Sequence, residues 1–475
     1  MVPQEDTPAL AVPRGLREVI DSVSAAGGRA LLVGGAVRDA LLGLPLKDYD
    51  LEIYGVSAER LAALLARFGK VDAVGQAFTV LKLSGLPGLE GVLDVSLPRR
   101  DSKAGPGHRG IAVSGDPDLS IEEAARRRDF TINAMLYDPV ERRVLDPFHG
   151  RHDLADRILR AVDPTTFTED PLRALRAVQF AARFDLRVEP RTAELCASMP
   201  LSELPAERVF TEMEKLLLQA PRPAVGFALL RDWNLLTFVA PELIPLAETP
   251  QDPIWHPEGD VFTHTLLCLD QAALLRDDLD RPRALALMLA TLCHDLGKPK
   301  TTKPEGGRIR SLNHEEEGIP PTLSLLDRWN VHTLSGYDLR GQVLGLVANH
   351  LKPMQFYDDR ERITDGAFRR LARKCELELL GLVARADCLG RVGGFDAAAM
   401  DWFLEKARQL DVSRRPPEPL LRGRDVLELG IPPGPAVGRL LRAVYERQLD
   451  GGIASVEDAR AEARRILASS REKET

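Results

Sequence analysis

The stretch LLVGGAVRDALLGLPLKDYDLEIY, residues 31–54, carries an alternating pair of aspartates, Asp48 and Asp50. On a strand that spacing projects both side chains from one face. Like charges so close repel and raise one another's pKa, a cost that a divalent cation between them removes. Upstream, Gly34 and Gly35 let the backbone approach a ligand closely. The helical run after them offers free N–H groups and a positive dipole end to phosphate, and Arg38 in its first turn adds a cationic fork. Magnesium favours carboxylates combined with substrate phosphates, so this set suits metal-assisted phosphoryl transfer. Asp94, a lone acid inside the apolar run GVLDVSL, would supply a third carboxylate from a neighbouring strand. It is also placed to act as general base toward a hydroxyl. Taken alone, the same residues describe a tight turn before an exposed strand end, with Asp94 opening another turn.

A second group of candidates lies late in the chain. His264 stands in FTHTLL, His294 and Asp295 in ATLCHDLGK, His314 in SLNHEEEG, His350 in VANHLKP and Asp387 in ARADCLGR. A lone histidine on an apolar face is usually a satisfied core residue. An adjacent His-Asp pair closing a nearly all-apolar helix is different, because a buried charge there needs a partner or a metal. Imidazole and carboxylate together suit Mn, Fe, Ni or Zn.

The elements that must position these groups follow from length and pattern. At 475 residues the chain exceeds one ordinary core, and a prior of roughly 150 residues per domain suggests about three units. It is 44% hydrophobic and 28% charged, which is globular composition. The net charge of −8 argues against a generic polyanion binder while leaving room for nucleic acid on a local basic surface. Five scattered cysteines with no CxxC pair suggest reduced thiols and a cytoplasmic location. No apolar run reaches about 18 residues, so no membrane partner is expected, and the acidic start lacks the regions of a signal peptide. Oligomeric state is not legible.

Short apolar runs (ALLVGG, YDLEIYG, FTVLKLSG, GVLDVSL, TINAMLYD) alternate with loops and helical stretches up to about residue 140, as in an α+β head. From about 153 helical spacing takes over in DLADRILRAV, EDPLRALRAVQFAARF, TAELCASM and AERVFTEMEKLLLQA. LAETPQDPIWHPEGD reads as a Pro-rich linker near 245–260, and SRRPPEPLLRGRD as a second break near 413–425. The expected layout is a head at 1–152, a helical neck at 153–244, a second helical domain at 245–412 and a helical tail at 413–475.

In order, VGGAVRDALLG, KDYD, LDVSLPRRD, RRRDFTINAMLYDP, LDPFHGRHDL and EDPLRALRAVQFAARF closely resemble the class II tRNA nucleotidyltransferases, from about 29 to 220. These CCA-adding enzymes share a polymerase-beta-like nucleotidyltransferase head with bacterial poly(A) polymerases. The resemblance implies a five-stranded mixed sheet and a head that runs on Mg²⁺, with Asp48 and Asp50 as metal ligands and Asp94 in the place of the third carboxylate, where many relatives carry Glu. It implies that Arg128 contacts the nucleotide and that Asp129 reads ribose hydroxyls. In EDPLR, Asp170 and Arg173 lie three apart, on one helical face. Such a pair could read the Watson–Crick edge of C or A without a nucleic-acid template, with Arg176 meeting the triphosphate; it is equally a surface ion pair worth a few tenths of a kcal/mol.

The series H…HD…H…H…D resembles the HD superfamily of metal-dependent phosphohydrolases, HDLGK being its most diagnostic piece. His264, His294, Asp295 and Asp387 would hold one metal, His314 and His350 could extend the site to a second, and Lys298 would lie near phosphate. A transition metal such as Ni²⁺, Mn²⁺ or Co²⁺ is expected. WHPEGDVFTHTL and LATLCHDLGK are forms found in tRNA nucleotidyltransferases with an attached HD domain, and such domains often show 2′,3′-cyclic phosphodiesterase, 2′-nucleotidase and phosphatase activity. The implied partners are tRNA, CTP and ATP. An A-adding enzyme or a poly(A) polymerase of the same family is the alternative. RRDSKAGPGHRGIAVSGDPDLS, a full-length head loop, weighs against CC-only addition. The tail, with GRDVLELGI, resembles the family's C-terminal segment and is expected to dock on the HD domain or touch tRNA.

Overall fold

The structure, a computed structural model, describes residues 10–46, 48–74, 80–89, 91–103 and 111–471. It divides into two compact units. One runs up to Leu204 and includes Trp233–Leu235; the other holds Pro205–Asp232 and the chain from Leu236 onward.

The first unit is built on a mixed sheet. Its strands are β1 (Arg29–Val33), β2 (Asp50–Tyr54), β3 (Lys70–Val74), β4 (Val80–Ser84), β5 (Val92–Ser96), β8 (Leu136–Asp138) and β9 (Arg143–Leu145), in the order β3-β4-β5-β2-β1-β8-β9. β6 (Arg99–Lys103) and β7 (Ile111–Gly115) form a separate hairpin; residues 104–110, within the head loop expected to be full length, lie outside the described residues. The sheet is mixed as expected but has seven strands, not five. TINAMLYD and the following RRVLD add β8 and β9 beside β1. All its neighbours pair antiparallel except β2 and β5, which run parallel with Asp50 opposite Asp94. Leu51, Ile53, Leu93 and Val95 are fully buried and hold that register, since a one-residue slip would turn all four out of the core.

The helix Ile121–Arg126 opens with a capping box, Ser120 with Glu123, and delivers Arg128 and Asp129 to the sheet. DLADRILRAV is helical only to Ala155. Its second half becomes β10 (Ile158–Leu159), paired in parallel with β11 (Arg187–Val188). The helix between them, Leu172–Phe184, buries Leu175, Ala177, Val178 and Ala181 completely.

Among the described residues the second unit is helical apart from one hairpin, β12 (Thr302–Glu305) with β13 (Arg308–Ser311). The helix Arg281–Cys293 is its axis: Leu285 through Ala290 are all completely buried, so it is apolar all round, as a central helix must be. Asp260 and Asp280 cap the helices Val261–Leu275 and Arg281–Cys293. The Pro-rich stretch near 245–260 is not a free linker. Thr249, Gln251 and Asp252 are buried, Gln251 Nε2 donates to Asp260 O at 3.3 Å, and Asp252 Oδ1 accepts from Ile254 N at 3.0 Å. The tail helices Gly423–Glu428, Pro435–Leu449 and Val456–Arg471 share a small core around Val426, Val444 and Ala459. Arg370, on the helix Asp365–Leu371, ties them to the rest of the unit through Glu446 at 2.9 Å and Asp450 at 2.6 Å.

Candidate functional site

In the first unit the carboxylates gather where β2 and β5 run side by side. Asp50 begins β2, Asp94 faces it across the parallel pair, and Asp48 precedes the strand by two residues. Lys82, opposite Asp94 on β4, brings its Nζ within 3.3 Å of Asp94 Oδ1. Although Asp50 opens to solvent at the strand end, its carboxyl is partly withdrawn from water; that loss, then the charge of Asp94, pushes its pKa up, and Asp48 adds to the effect. A divalent cation would relieve this repulsion. Glu52 continues the same alternating row and was not picked out from the sequence. It is 2% exposed and accepts from Tyr54 Oη at 2.8 Å and Arg128 Nη2 at 3.3 Å. Its i,i+2 spacing from Asp50 was the available signal.

Gly34 adopts φ of 66°, a conformation other residues reach only with strain. Arg128 lies over it: a Cβ on Gly34 would touch Nη1 at 3.5 Å. Gly35 starts the helix Gly35–Leu41. Arg38 is not an open fork. It is 4% exposed; Nε and Nη2 donate to Asp39 at 2.9 and 2.6 Å, and Nη1 donates to Asn133 Oδ1 at 2.6 Å. Its guanidinium also lies 4.3 Å from the Phe184 ring centre. From Asn133 the network continues to Asp129 at 3.0 Å and on to Arg176 at 2.7 Å. Burial alone would raise the Asp129 carboxyl, but the Arg176 charge and the bonds from Asn133 and Phe130 outweigh it, and the pKa is lowered.

The EDPLR pair does not share a helical turn. Asp170 stands before the N-cap Pro171 and accepts from Leu172 N at 3.1 Å. Arg173 Nη1 and Nη2 donate to the carbonyls of Thr166 and Arg127 at 2.8 and 2.7 Å. Both residues therefore sit at the start of the helix Leu172–Phe184, within reach of the segment that carries Arg128 and Asp129.

In the second unit all six residues singled out in the sequence converge. His264 Nε2 is 3.1 Å from Asp387 Oδ1 and 3.9 Å from Asp295 Oδ2; His294 Nε2 is 3.2 Å from Asp295 Oδ2, and His314 Nε2 is 3.4 Å from Asp295 Oδ1. The Nδ1 atoms of His294, His314 and His350 lie 2.7, 2.7 and 2.8 Å from the carbonyls of Thr291, Ser311 and Val347. A carbonyl only accepts, so each Nδ1 carries the proton and each Nε2 presents a lone pair inward. His314 Nε2 and His350 Nε2 then face one another at 3.1 Å, two lone pairs with no proton between them. Buried His294 Nε2 has no hydrogen-bond partner among the described residues. Converging lone pairs and an orphaned buried nitrogen fit a metal centre, because a cation satisfies all of them at once.

Around this cluster lies a cavity of about 240 Å³, lined by Lys298, Asp295, His314, His350 and Arg391 among others. Lys298 Nζ is 2.7 Å from Asp295 Oδ2 and 2.7 Å from Gln251 Oε1. Burial alone would raise Asp295, but its contacts with the His294 imidazole and the Lys298 ammonium hold it well below the carboxylate range. Gly297 of HDLGK is a close-approach residue: a Cβ there would stand 2.0 Å from His314 O. The segment expected to be a linker carries a residue that sequence reasoning missed. Glu258 Oε1 lies 2.9 Å from His256 Nδ1 and 2.8 Å from His264 Nδ1. Burial would raise it, but these imidazole bonds and the backbone bring it down to about 2.

Known proteins align with this architecture. The family model described as "Poly A polymerase head domain" matches residues 30–160, the "Probable RNA and SrmB- binding site of polymerase A" matches 185–246, and the HD domain matches 261–391. The multifunctional CCA protein of Methylococcus capsulatus is 37% identical over 428 residues, spanning 87% of this chain and 92% of that protein. The protein of the same description from Actinobacillus pleuropneumoniae is 34% identical over 399 residues, covering 80% and 91%. The chain belongs to the multifunctional CCA protein family. Members of this family are nucleotidyltransferases, and this one carries an HD domain; domains of both kinds generally use divalent metals. Solved structures share the fold. The Bacillus stearothermophilus CCA-adding enzyme in complex with CTP matches with a TM-score of 0.64 at 24% identity over 96% of this chain and 98% of that one. The Thermotoga maritima CCA-adding enzyme complexed with tRNA matches at 0.56 and 20% identity over 95% and 94%. Among the described residues no helix is long and apolar enough to cross a membrane.

Proposed function

We propose that this multifunctional CCA family member adds C and A to the 3′ end of tRNA from CTP and ATP, without a nucleic-acid template. The observation that carries the reading is the in-register pair Asp50 and Asp94, with Asp48 two residues away, on a nucleotidyltransferase sheet. Asp48 and Asp50 would hold Mg²⁺, which supplies charge stabilisation to the transferring phosphoryl group. Asp94 stands beside them to accept the proton of the tRNA 3′-hydroxyl. Gly34 and Gly35 leave the backbone open to the phosphates, with Arg128 above them. Asp129, clamped by Arg176 and Asn133, is a fixed acceptor for ribose hydroxyls. Asp170 and Arg173 read the base edge. Arg38 supports this set from behind, through Asn133 and Asp129, and does not itself meet phosphate.

The HD cluster is the second half of the proposal. His264, His294, Asp295 and Asp387, with His314 and His350, would hold a transition metal such as Ni²⁺, Mn²⁺ or Co²⁺, which activates water for attack on phosphorus. Lys298 meets the phosphate charge. The cavity is smaller than the roughly 300–1,000 Å³ of sites that engulf a whole ligand. It suits the end of a chain reaching in, so a 2′,3′-cyclic phosphate terminus is the proposed substrate. The division of labour is head 1–152, neck 153–244, HD domain 245–412 and tail 413–475. Five free, buried cysteines accord with the proposed cytoplasmic setting.

Purified protein incubated with tRNAs ending in N, NC and NCC, each with labelled CTP or ATP, tests the first half. CC addition followed by a single A is expected. A only on NCC indicates an A-adding enzyme, and A tails of many residues indicate a poly(A) polymerase; either outcome replaces the CCA reading.

A further inference from the structure

Trp255 lines the same cavity as Lys298, Asp295, His314 and His350. Those four are 9% exposed or less, whereas the tryptophan is 48% exposed, so it stands at the outer end of that cavity. A large aromatic side chain left open to water is the exception that asks for a reason. Ile254, beside it in the chain, and Val392, on the segment that meets it, are 68% and 53% exposed. We propose that Trp255 is the stacking platform for the base of the terminal nucleotide whose phosphate reaches the HD cluster. The inference rests on reading that cluster as a phosphohydrolase centre and adds the residue that makes its substrate a nucleotide.

Three observations carry it. The first is size. A cavity of about 240 Å³ takes a phosphate and part of a sugar but falls short of a whole nucleotide. In a 2′,3′-cyclic phosphate the phosphorus bridges two ribose carbons, and the base leaves the carbon next to them. With the phosphate held at the cluster, the base therefore lies one sugar ring further out, at the end where the indole stands. The second is support. The backbone N–H groups of Trp255 and His256 both donate to Asp252 O, at 3.1 and 2.8 Å, and Asp252 is buried. The Phe395 ring centre lies 6.3 Å from that of the indole, with 30° between the planes, and Phe395 is itself packed on Ala384, Cys388, Ala399 and Met400. Val392 N donates to Glu258 Oε2 at 3.3 Å, which ties the two segments together. A platform fixed in this way loses little freedom when a base settles on it.

The third is the state of the polar groups nearby. Gln251 Nε2 donates to Asp260 O at 3.3 Å, and its Oε1 accepts from Lys298 Nζ at 2.7 Å. Asp252 Oδ1 accepts from Ile254 N at 3.0 Å, Ser311 Oγ lies 2.7 Å from Thr302 Oγ1, and His256 Nδ1 faces Glu258 Oε1 at 2.9 Å. With these groups turned to the protein, the indole is what this wall presents to a base, and every base has a π-face. Stacking then favours nucleotides over other phosphate esters without choosing among nucleotides. Arg391 joins the platform to the cluster: its guanidinium lies 5.6 Å from the Phe395 ring centre, and Nη2 lies 3.4 Å from Asp387 Oδ1.

The test uses the full chain loaded in turn with Ni²⁺, Mn²⁺ and Co²⁺. Hydrolysis of the 2′,3′-cyclic phosphates of adenosine, guanosine, cytidine and uridine is compared with that of methyl riboside 2′,3′-cyclic phosphate, which has the sugar and the phosphate but no base. The parent should prefer all four nucleotides to the riboside, purines somewhat more than pyrimidines. In Trp255→Ala that preference should shrink by about 5- to 100-fold, the size of losing one base–aromatic stack, and the loss should fall on KM more than on kcat. Trp255→Leu keeps apolar bulk and should lose the preference as Ala does, while Trp255→Phe should keep most of it. If the preference survives in Ala and Leu, or if Leu and Phe behave alike, the indole is no stacking platform and the inference falls while the hydrolytic centre stands. A parent that refuses one or more bases reads them by hydrogen bonds, which also overturns it. If the parent hydrolyses none of these esters with any of the ions, the inference and the HD half of the proposed function both fall.

Discussion

The two candidate centres solve opposite problems. In the first unit Asp48 and Asp50 stand at the start of one strand and Asp94 within its neighbour, a set with only oxygen ligands. In the second, every imidazole is buried and each Nδ1 is fixed by a carbonyl or by Glu258. An open oxygen site leaves coordination positions for substrate phosphates and so changes with each nucleotide that enters. A buried imidazole site supplies nearly the whole shell itself and is set before substrate arrives. One centre is completed by its substrate; the other is complete in the fold. Mutations should therefore separate the two cleanly.

The largest expected effect is in the head. Asp50→Ala or Asp48→Ala removes several kcal/mol of charge stabilisation from phosphoryl transfer, a loss of roughly a thousandfold or more in single-turnover CTP incorporation. Metal content of the HD domain, measured by mass spectrometry, should not change. Incorporation within tenfold of the parent would show that these carboxylates are not the metal site.

The double change His294→Ala with Asp295→Ala is next. It strands Lys298, His264 and His314 without the carboxylate they face. Hydrolysis of 2′,3′-cyclic nucleotides should fall at least about a hundredfold, transition-metal binding should be lost, and CTP incorporation should persist. Stability should also fall by about 3 kcal/mol, since a buried charge loses its partner. Retained hydrolysis would make the histidine cluster structural.

How much of this the sequence disclosed depended on whether a contact is local. Asp50 and Glu52 alternate on β2 while Asp48 lies two residues before it, so the period of two placed only part of the expected row; the pairing of Asp50 with Asp94 needed only adjacent strands. The HD residues were found because each sits at a recognisable motif. Glu258 was hidden in a Pro-rich stretch whose composition reads as linker, and only the fold brings it under His264. Arg38 and Arg173 had the right type for phosphate and base. The fold nevertheless turns most of their donors inward, to Asn133 and Asp39 in one case and to two carbonyls in the other. Spacing on one helix could not disclose partners contributed by other elements.

A third, smaller effect probes the electrostatics of the head. Asp129 has a lowered pKa, so the stability it contributes is present above its unfolded value near 4 and is lost as pH falls through the still lower folded value. Arg176→Met removes the main charge that offsets burial, so the carboxyl should then titrate above its unfolded value. The variant should lose about 2–3 kcal/mol at pH 7.5, and the gap to the parent should narrow at pH 5, where the stranded carboxyl begins to take up a proton. Denaturant unfolding at the two pH values measures this. A gap that widens on acidification would mean that Asp129 is neutralised by a group other than Arg176.

The smallest effect bears on the pre-set character of the HD centre. Glu258 Oε1 serves both His256 and His264, at 2.9 and 2.8 Å, while Oε2 accepts from Val392 N at 3.3 Å. Glutamine in its place keeps the shape but offers only one accepting atom. If that atom faces the imidazoles, its amide N–H₂ meets the Val392 N–H, donor against donor. If it faces Val392, both imidazoles lose their acceptor. Either way His264 is held less firmly in the tautomer that leaves Nε2 free. Glu258→Gln should therefore weaken transition-metal binding about tenfold, the lower end for an outer-shell partner, by isothermal titration. Nucleotide addition should be untouched. Unchanged metal affinity would mean that packing alone orients His264, and the contrast between a centre set by its fold and one completed by its substrate would lose one of its main supports.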